Sequence, residues 1–150
     1  MSPEADGAGV MAQALRWLAR RDYGVAELAG RLRREGAETA QVAEVIARCQ
    51  ALGYLNDRKF AASRVRARLA RGWGELRIRA ELRYLGIDDE MISLAWQESV
   101  GENDPVTRAR DALERHYGTW DRSDPRARRR CYAFLARRGV SPEAIEAALV

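Results

Sequence analysis

The sequence predicts an all-α protein made of three tandem three-helix repeats that form an elongated, curved array. Three observations lead to this prediction: a composition rich in helix formers, a regular series of helix boundaries, and a hairpin pattern that recurs three times. Ala, Arg, Leu and Glu dominate the 150 residues, and all four favour helices. Hydrophobic residues make up 47% of the chain, which argues for a folded protein and against intrinsic disorder.

The apolar spacing predicts nine helices that follow an acidic N-terminal segment, which we expect to be a disordered tail over residues 1–9. The predicted helices are Val10–Arg21, Val25–Glu35, Thr39–Leu52, Asn56–Arg71, Glu75–Leu85, Asp88–Val100, Pro105–Tyr117, Pro125–Arg138 and Pro142–Leu149. Their ends carry suitable turn residues, namely glycine C-caps and N-cap residues followed by proline. The glycines are Gly36, Gly86 and Gly139, and the N-caps are Asp104, Asp124 and Ser141.

A helix–glycine–helix hairpin recurs in "ELAGRLRREGAETAQVAEVI", "RIRAELRYLGIDDEMISLAW" and "RCYAFLARRGVSPEAIEAAL". Apolar residues hold matching positions around each glycine: Leu28, Ile78 and Cys131, then Leu32, Leu82 and Leu135, then Val42, Ile92 and Ile145. One further helix precedes each hairpin, so the predicted repeats are residues 10–52, 53–101 and 102–150. Units this small bury little core alone, so neighbouring repeats must stack on one another.

The residues that could do chemistry give no catalytic pattern. Cys131 holds a core position of the repeat and Cys49 follows an apolar stripe, so we expect both to be core residues. His116 is the only histidine, and no local spacing supplies partners for a metal site or a nucleophile–base pair. Trp17 and Trp96 lie in apolar stripes and should be core. Trp73 and Trp120 lie in predicted loops. We expect them either to be exposed for contact with a partner or to fill the space between repeats.

No apolar run approaches the length of a membrane-spanning helix, and the N-terminus lacks the pattern of a secretory signal. We therefore expect a cytoplasmic protein without catalytic residues, metal or cofactor. The formal net charge of +4 favours polyanions or acidic protein surfaces as partners.

The most unusual stretch is "GYLNDRKFAASRVRARLARGWG", residues 53–74, which predicts a helix with many cations between glycines. No carboxylate lies between Asp57 and Glu75, although a solvated helix usually mixes charges for support. We expect a functional binding surface here, and a merely solvated face is the alternative. Its residues are Arg64, Arg68 and Arg71 on one flank, continued by Arg77, Arg79 and Arg83 on the next helix.

The "RARRR" segment, Arg126 to Arg130, begins another helix, where the macrodipole disfavours cations. This placement indicates a secondary basic surface made of Arg126, Arg129, Arg130 and Arg137.

The ends of the middle basic helix also suggest roles. We expect Asn56 to cap it. Gly53 and the Gly72-Trp73-Gly74 turn should act as hinges or tight caps. The apolar residues near its start, which are Tyr54, Leu55 and Phe60, should pack against the neighbouring hairpin.

Two segments, "GYLNDRKFA" (53–61) and "RGWGELRIRAELRYLGI" (71–87), resemble the RecX family of regulatory proteins, which bind and restrain the RecA recombinase. The stretch "LARRDYGVAELAGRLRREG" fits the family more loosely, and the third repeat fits by helix pattern alone. The resemblance covers about residues 12–149. It implies an array of three-helix repeats that binds RecA or its filament on single-stranded DNA, and we expect a monomer. The expected RecA- or DNA-binding surface is then the one formed by Arg64, Arg68, Arg71, Arg77, Arg79 and Arg83. The resemblance also implies inhibition of ATP hydrolysis, strand exchange and coprotease activity, with no catalytic residues.

A stand-alone, arginine-rich helical protein that binds nucleic acid is the alternative function. Such a protein would bind DNA without the recombinase and would lose affinity steeply with salt. A filament modulator would instead require the recombinase for its main effect.

Overall fold

The computed structural model describes residues 3–150, and in this range the regular structure is entirely α-helical. The helices are α1 (Pro3–Arg20), α2 (Val25–Arg34), α3 (Thr39–Ala51), α4 (Asp57–Ala70), α5 (Glu75–Tyr84), α6 (Asp89–Val100), α7 (Pro105–Tyr117), α8 (Pro125–Arg137) and α9 (Pro142–Ala148). The prediction of an all-α chain of nine helices is confirmed for the described residues. Within them, no helix is both long and apolar enough to cross a membrane.

The start of α1 differs from the prediction. Residues 3–9 continue this helix to Pro3, ahead of the predicted start at Val10, and do not form the expected tail. Residues 1 and 2 of that predicted tail lie outside the described residues. Proline suits the first position of a helix, but Gly7 and Gly9 lower the helix propensity of this stretch, which is why the sequence pattern missed it. Every other helix end lies within one residue of its predicted position.

The predicted caps are present where helices begin with proline. Asp104 accepts a hydrogen bond from the Val106 amide, and Asp124 accepts one from the Arg126 amide. The Ser141 side chain accepts one from the amide of Ala144. These side chains satisfy amides that have no partner inside their helices, so they fix where α7, α8 and α9 begin.

By its internal packing, the chain divides into two compact units. The first runs to Ala61 and includes Arg83–Ala95, and the second comprises Ala62–Leu82 and Trp96–Val150. The division passes through α4, α5 and α6. The middle repeat therefore contributes residues to both units.

The core positions of the repeat alignment are buried in every repeat. All nine side chains are at most 2% exposed: Leu28, Ile78, Cys131, Leu32, Leu82, Leu135, Val42, Ile92 and Ile145. Trp17 and Trp96 are also buried, as predicted. Cys49 and Cys131 are buried free thiols whose pKa values are raised by desolvation, so the prediction that they are core residues is confirmed.

A close glycine contact with a neighbouring helix occurs in each unit. In the first unit, Gly86 of the α5–α6 turn lies against α2, where an added Cβ would be 2.5 Å from the Cβ of Ala26. In the second unit, Gly139 of the α8–α9 turn lies against α5, where an added Cβ would be 2.3 Å from the Cβ of Arg77. Gly36, the matching glycine of the first hairpin, has no atom within 4 Å of such a Cβ. The hairpin turn of one repeat therefore contacts the second helix of the preceding repeat.

The Gly72-Trp73-Gly74 turn between α4 and α5 uses its two glycines differently. Gly72 has a φ of +83° and ends α4, while the Trp73 amide donates to the carbonyl of Arg68 at 3.0 Å. Gly74 is needed for space, because a Cβ there would lie 2.5 Å from the carbonyl carbon of Gly139. The predicted role of this turn as a tight cap is confirmed.

Asn56 caps α4, as predicted, because its side chain accepts a hydrogen bond from the Lys59 amide at 3.1 Å. The next residue has a function that the sequence did not reveal: Asp57 Oδ1 accepts a hydrogen bond from the Val25 amide at 2.8 Å and so caps α2. Leu55 and Phe60 are buried as expected. Tyr54 is 55% exposed, so the prediction that it packs is wrong. Its position just after Gly53 turns it to solvent.

Candidate partner-binding surfaces

The two central arginines of the basic helix are bound to a carboxylate from α5. Arg64 Nη1 donates to Glu81 Oε1 at 2.6 Å. Arg68 donates from Nε and Nη2 to the two oxygens of Glu81, both at 2.8 Å. The side chains are only 18–25% exposed. The absence of a carboxylate between Asp57 and Glu75 therefore does not leave these cations unneutralised, because Glu81 lies beyond Glu75 in sequence and comes from the adjacent helix.

The charges of this cluster stabilise one another. Desolvation by itself raises the pKa of Glu81, but hydrogen bonds and attraction from Arg68 and Arg64 outweigh it and hold that pKa below its ordinary value. The hydrogen bond to Glu81 likewise raises the pKa of Arg68. Glu81 is therefore ionised at neutral pH, and Arg64 and Arg68 bind it within the second unit.

Two more of the predicted surface arginines have intramolecular carboxylate partners. Arg79 Nε donates to Glu75 one helical turn earlier, at 3.0 Å. Arg83 Nε donates to Asp89 at 2.7 Å, and this pair is well exposed, with side chains 55% and 73% accessible. An exposed pair of this kind contributes little to stability, so Arg83 can exchange its partner at small cost.

The Trp73 ring contacts two of the arginines. The guanidinium carbon of Arg77 is 3.6 Å from the centroid of the Trp73 ring, and that of Arg68 is 4.4 Å from it. Such contacts are stabilised by the negative face of the ring. Trp73 is half-buried in this stack. Arg71, by contrast, is exposed, and within residues 3–150 its side chain has no carboxylate partner.

The secondary basic surface contains arginines that are mostly unpaired. The side chains of Arg126, Arg129 and Arg137 are exposed and have no ion pair among the described residues. The Arg130 guanidinium lies 5.3 Å from the Tyr117 ring centroid. Arg128, in the same "RARRR" segment, instead donates to the carbonyl of Leu149 at 2.8 Å and holds the C-terminal end of the chain.

The second unit also has a small basic pocket that the sequence did not reveal. Its volume is about 260 Å³, and it is lined by Ala70, Arg71, Gly72, Ala112, Arg115, His116, Phe134 and Arg138. None of these lining residues is acidic. They come from the ends of α4, α7 and α8 and are far apart in sequence, so no local pattern could have grouped them. A larger neighbouring cavity, of about 410 Å³, has both arginines and carboxylates in its lining.

Charge in the larger cavity is mixed. Burial lowers the pKa of Arg108, although Glu75 and Asp104 oppose that shift. The Arg108 guanidinium also lies 5.5 Å from the centroid of the Trp96 ring. Among the described residues there is no group of three or more His, Cys, Asp or Glu side chains that could hold a metal ion.

These features define an all-α protein of tandem three-helix domains with arginine-rich surfaces. The chain matches the family models "RecX, first three-helix domain" over residues 11–49, "RecX, second three-helix domain" over 56–95 and "RecX, third three-helix domain" over 102–149. It belongs to the RecX family, so the resemblance seen in its sequence motifs is confirmed.

Curated relatives agree with this assignment. The chain is 34% identical over 144 residues to "Regulatory protein RecX" of Syntrophotalea carbinolica, covering 94% of this chain and 92% of the relative. It is 38% identical over 136 residues to the protein of the same name from Xanthomonas axonopodis pv. citri, covering 91% and 83%. The crystal structure of RecX from Lactobacillus salivarius has the same fold, with a TM-score of 0.75 and 22% identity over 97% of this chain and 96% of that one.

Proposed function

We propose that this protein binds the RecA recombinase, or the filament that RecA forms on single-stranded DNA, and inhibits its ATPase, strand-exchange and coprotease activities. The observation that carries the proposal is the match of all three RecX domains, which together span most of the chain. Relatives that are similar along nearly their whole length are named regulatory proteins. The protein would act as a monomer in the cytoplasm, in DNA repair, the SOS response and homologous recombination.

The proposed mechanism is binding and not catalysis. Arginine side chains on rigid helices offer several N–H donors in a fixed fork, which suits carboxylate and phosphate groups of a partner. A filament presents the same surface many times, so basic sites in different domains can each meet an equivalent site on it. No residue is assigned a catalytic role.

The structure changes which arginines are the best candidates for partner contact. Of the six arginines predicted as the main binding surface, Arg64, Arg68 and Arg79 hold carboxylates within the second unit, so we assign them a structural role. Arg71 and Arg77 are exposed in that unit and are the proposed contacts there. Arg83, in the first unit, is a further candidate because its ion pair is exposed.

The test is RecA ATP hydrolysis on single-stranded DNA, titrated with this protein. We expect the wild-type protein to lower the hydrolysis rate and the double variant Arg71→Glu, Arg77→Glu to lose most of this effect. The matched control is Arg33→Glu, Arg48→Glu, which changes the net charge equally at exposed positions in the last turns of α2 and α3. An unchanged hydrolysis rate with the wild-type protein would contradict the proposed function.

The secondary basic surface is tested in the same assay. A triple variant, Arg126→Glu, Arg129→Glu, Arg137→Glu, reverses three exposed arginines of α8 for which the described residues supply no ion-pair partner. If this variant loses inhibition while Arg71→Glu, Arg77→Glu keeps it, the contact belongs to the third domain. Reversal of Arg64 and Arg68 is unsuitable as a test, because it would place two new carboxylates beside Glu81 and destabilise the fold.

A further inference from the structure

We propose that the basic pocket of the second unit binds a phosphate of a single-stranded polynucleotide, with the neighbouring base stacked on His116. The pocket is the one lined by Arg71, Arg115, His116, Phe134 and Arg138. The inference deepens the proposed function by naming a site of direct DNA contact. It rests on the proposed function only in taking the single-stranded DNA of the RecA filament as the strand that is bound.

The charge of the pocket favours an anion even after the helix ends are counted. Arg71, Arg115 and Arg138 lie at the C-terminal ends of α4, α7 and α8, and each such end carries roughly half a negative charge. Three ends contribute about −1.5, against three positive guanidinium groups. The arginines therefore do more than neutralise the helix dipoles, and the pocket keeps a net positive charge.

The hydrogen-bonding state of the arginines leaves donors available. Arg138 Nη1 donates to the carbonyl of Arg71, which holds the guanidinium at the edge of the pocket. Arg115 Nε donates only to the Asp111 backbone carbonyl, at 3.4 Å. No carboxylate in the described part of the chain pairs with Arg71, Arg115 or Arg138. Their remaining N–H groups can therefore bind a phosphate with several oxygen acceptors.

An aromatic platform adjoins these donors. The His116 ring stacks on Phe134 with centroids 4.3 Å apart and planes at 15°. Tyr117 lies 4.5 Å from His116 and 5.5 Å from Phe134, so it cannot cover the opposite face of His116. His116 is exposed, and its ring face opposite Phe134 is the proposed stacking face. A cationic groove beside an exposed ring is the arrangement that binds single-stranded nucleic acid through phosphate contact and base stacking.

This platform favours a polynucleotide over an acidic protein segment. A carboxylate would use the arginines alone, whereas a nucleotide uses the arginines and the His116 ring together. Inorganic phosphate can contact the arginines but has no base to stack on His116. The stacking contact therefore distinguishes a nucleotide from free phosphate.

The experiment measures binding of a short fluorescein-labelled oligothymidylate to the full chain, by fluorescence anisotropy at low salt and without recombinase. Arg115→Glu should weaken binding about tenfold, because it removes a charge-assisted contact. It should also reduce the slope of log affinity against log salt by about 0.7, the loss of one phosphate contact on a single strand. Arg48→Glu is the matched control, since it lies in the last turn of α3 as Arg115 lies in the last turn of α7. Its binding should stay within about twofold of wild type.

Variants of His116 test the stacking contact. His116→Ala should weaken oligothymidylate binding about fivefold or more, and should have much less effect on an abasic deoxyribose-phosphate strand. His116→Phe should restore the affinity, since it keeps an aromatic face, and it also guards against loss of folding in the alanine variant. Thermal melting of each variant confirms that it is folded.

Three results would overturn the assignment. The first is equal weakening by Arg115→Glu and Arg48→Glu, which would indicate a diffuse effect of net charge. The second is displacement of the oligonucleotide by polyglutamate as effectively as by unlabelled DNA, which would favour an acidic protein partner. The third is wild-type protein that does not bind the strand. None of these results depends on RecA, so the pocket and the proposed function can fail separately.

Discussion

Glu81 is the residue on which the arrangement of the basic middle segment depends. It accepts three hydrogen bonds from Arg64 and Arg68 at 2.6–2.8 Å, and its side chain is 18% exposed. Without it, the two guanidinium groups would repel each other in a partly buried setting. The residue therefore allows a dense set of cations to exist on one folded helix.

Replacing this carboxylate with the neutral amide should destabilise the protein. We expect Glu81→Gln to lower the free energy of unfolding by about 1–3 kcal/mol, because charge-assisted hydrogen bonds are lost and two partly buried cations stay unpaired. Urea unfolding followed by circular dichroism measures the change. Glu44→Gln, at an exposed position of α3, is the control and should stay within about 0.5 kcal/mol of wild type. Equal effects of the two changes would mean that the Glu81 cluster contributes nothing specific.

The same carboxylate gives an expected pH dependence. The pKa of Glu81 is lower in the folded protein than in the unfolded chain, so its contribution is fully present above the unfolded pKa. It is lost as the pH falls below the unfolded value of about 4.3 and through the folded pKa. The difference in unfolding free energy between wild type and Glu81→Gln should therefore be constant near neutral pH and should shrink in acid. A difference that shrinks as the pH rises would contradict this assignment.

For single residues, the sequence patterns predicted which side chains are buried better than they predicted which side chains form ion pairs. The glycine alignment identified Leu32, Leu82 and Leu135 as equivalent core positions because apolar periodicity reports directly which face is buried. Glu81 was missed because a helical wheel describes one helix at a time, and its partners lie on another. The basic pocket was missed for the same reason.

At the scale of elements, the hairpin glycines separate two physical effects. Gly36, Gly86 and Gly139 all have positive φ, of 98°, 86° and 88°. Only Gly86 and Gly139 also lie against another helix, where a Cβ would collide with Ala26 or Arg77. The three positions therefore share a backbone conformation that would strain any L-residue, and they differ in packing.

Alanine at each hairpin glycine should show this difference. Gly36→Ala should cost about 1–2 kcal/mol, the cost of placing an L-residue in the left-handed region. Gly86→Ala and Gly139→Ala should cost about 1–3 kcal/mol more, because the added methyl forces the contacted helix to shift. Denaturant unfolding of the three variants measures the series. Equal losses at all three would mean that the turns are not closely packed against α2 and α5.

Helix ends were largely predictable because caps depend on a few neighbouring residues. Asp104, Asp124 and Ser141 cap the helices that the sequence assigned to them. The capping of α2 by Asp57 was not predictable, because Asp57 and the Val25 amide that it caps are 32 residues apart and meet only in the folded chain. Contacts between elements, rather than the elements themselves, are what the linear pattern leaves out.

For the whole molecule, the sequence predicted three repeats, and the family matches confirm three three-helix domains. The repeat boundaries at 10–52, 53–101 and 102–150 and the elongated, curved form of the array stay predictions. The two compact units add a feature that a repeat alignment cannot supply. Because the middle domain contributes to both units, its helices should transmit damage to two parts of the chain.

Truncation of the three equivalent leucines tests this organisation. Leu32→Ala, Leu82→Ala and Leu135→Ala should each cost about 2–5 kcal/mol, since all three side chains are at most 2% exposed and a cavity would remain. In a quasi-one-dimensional protein, opening is local, so the amides that exchange faster should map near the substitution. Hydrogen exchange measured by mass spectrometry should show faster exchange in α1–α3 for Leu32→Ala and in α7–α9 for Leu135→Ala.

Leu32→Ala and Leu135→Ala serve as controls for each other. Each variant should leave the amides in the opposite terminal domain as protected as in the wild type. Leu82→Ala should have a wider effect, since α5 contributes residues to both units and its N-terminal part contacts the Gly139 turn. If all three variants instead lost protection uniformly over the nine helices, the chain would unfold as one cooperative body. Stability would then not be divided among the units.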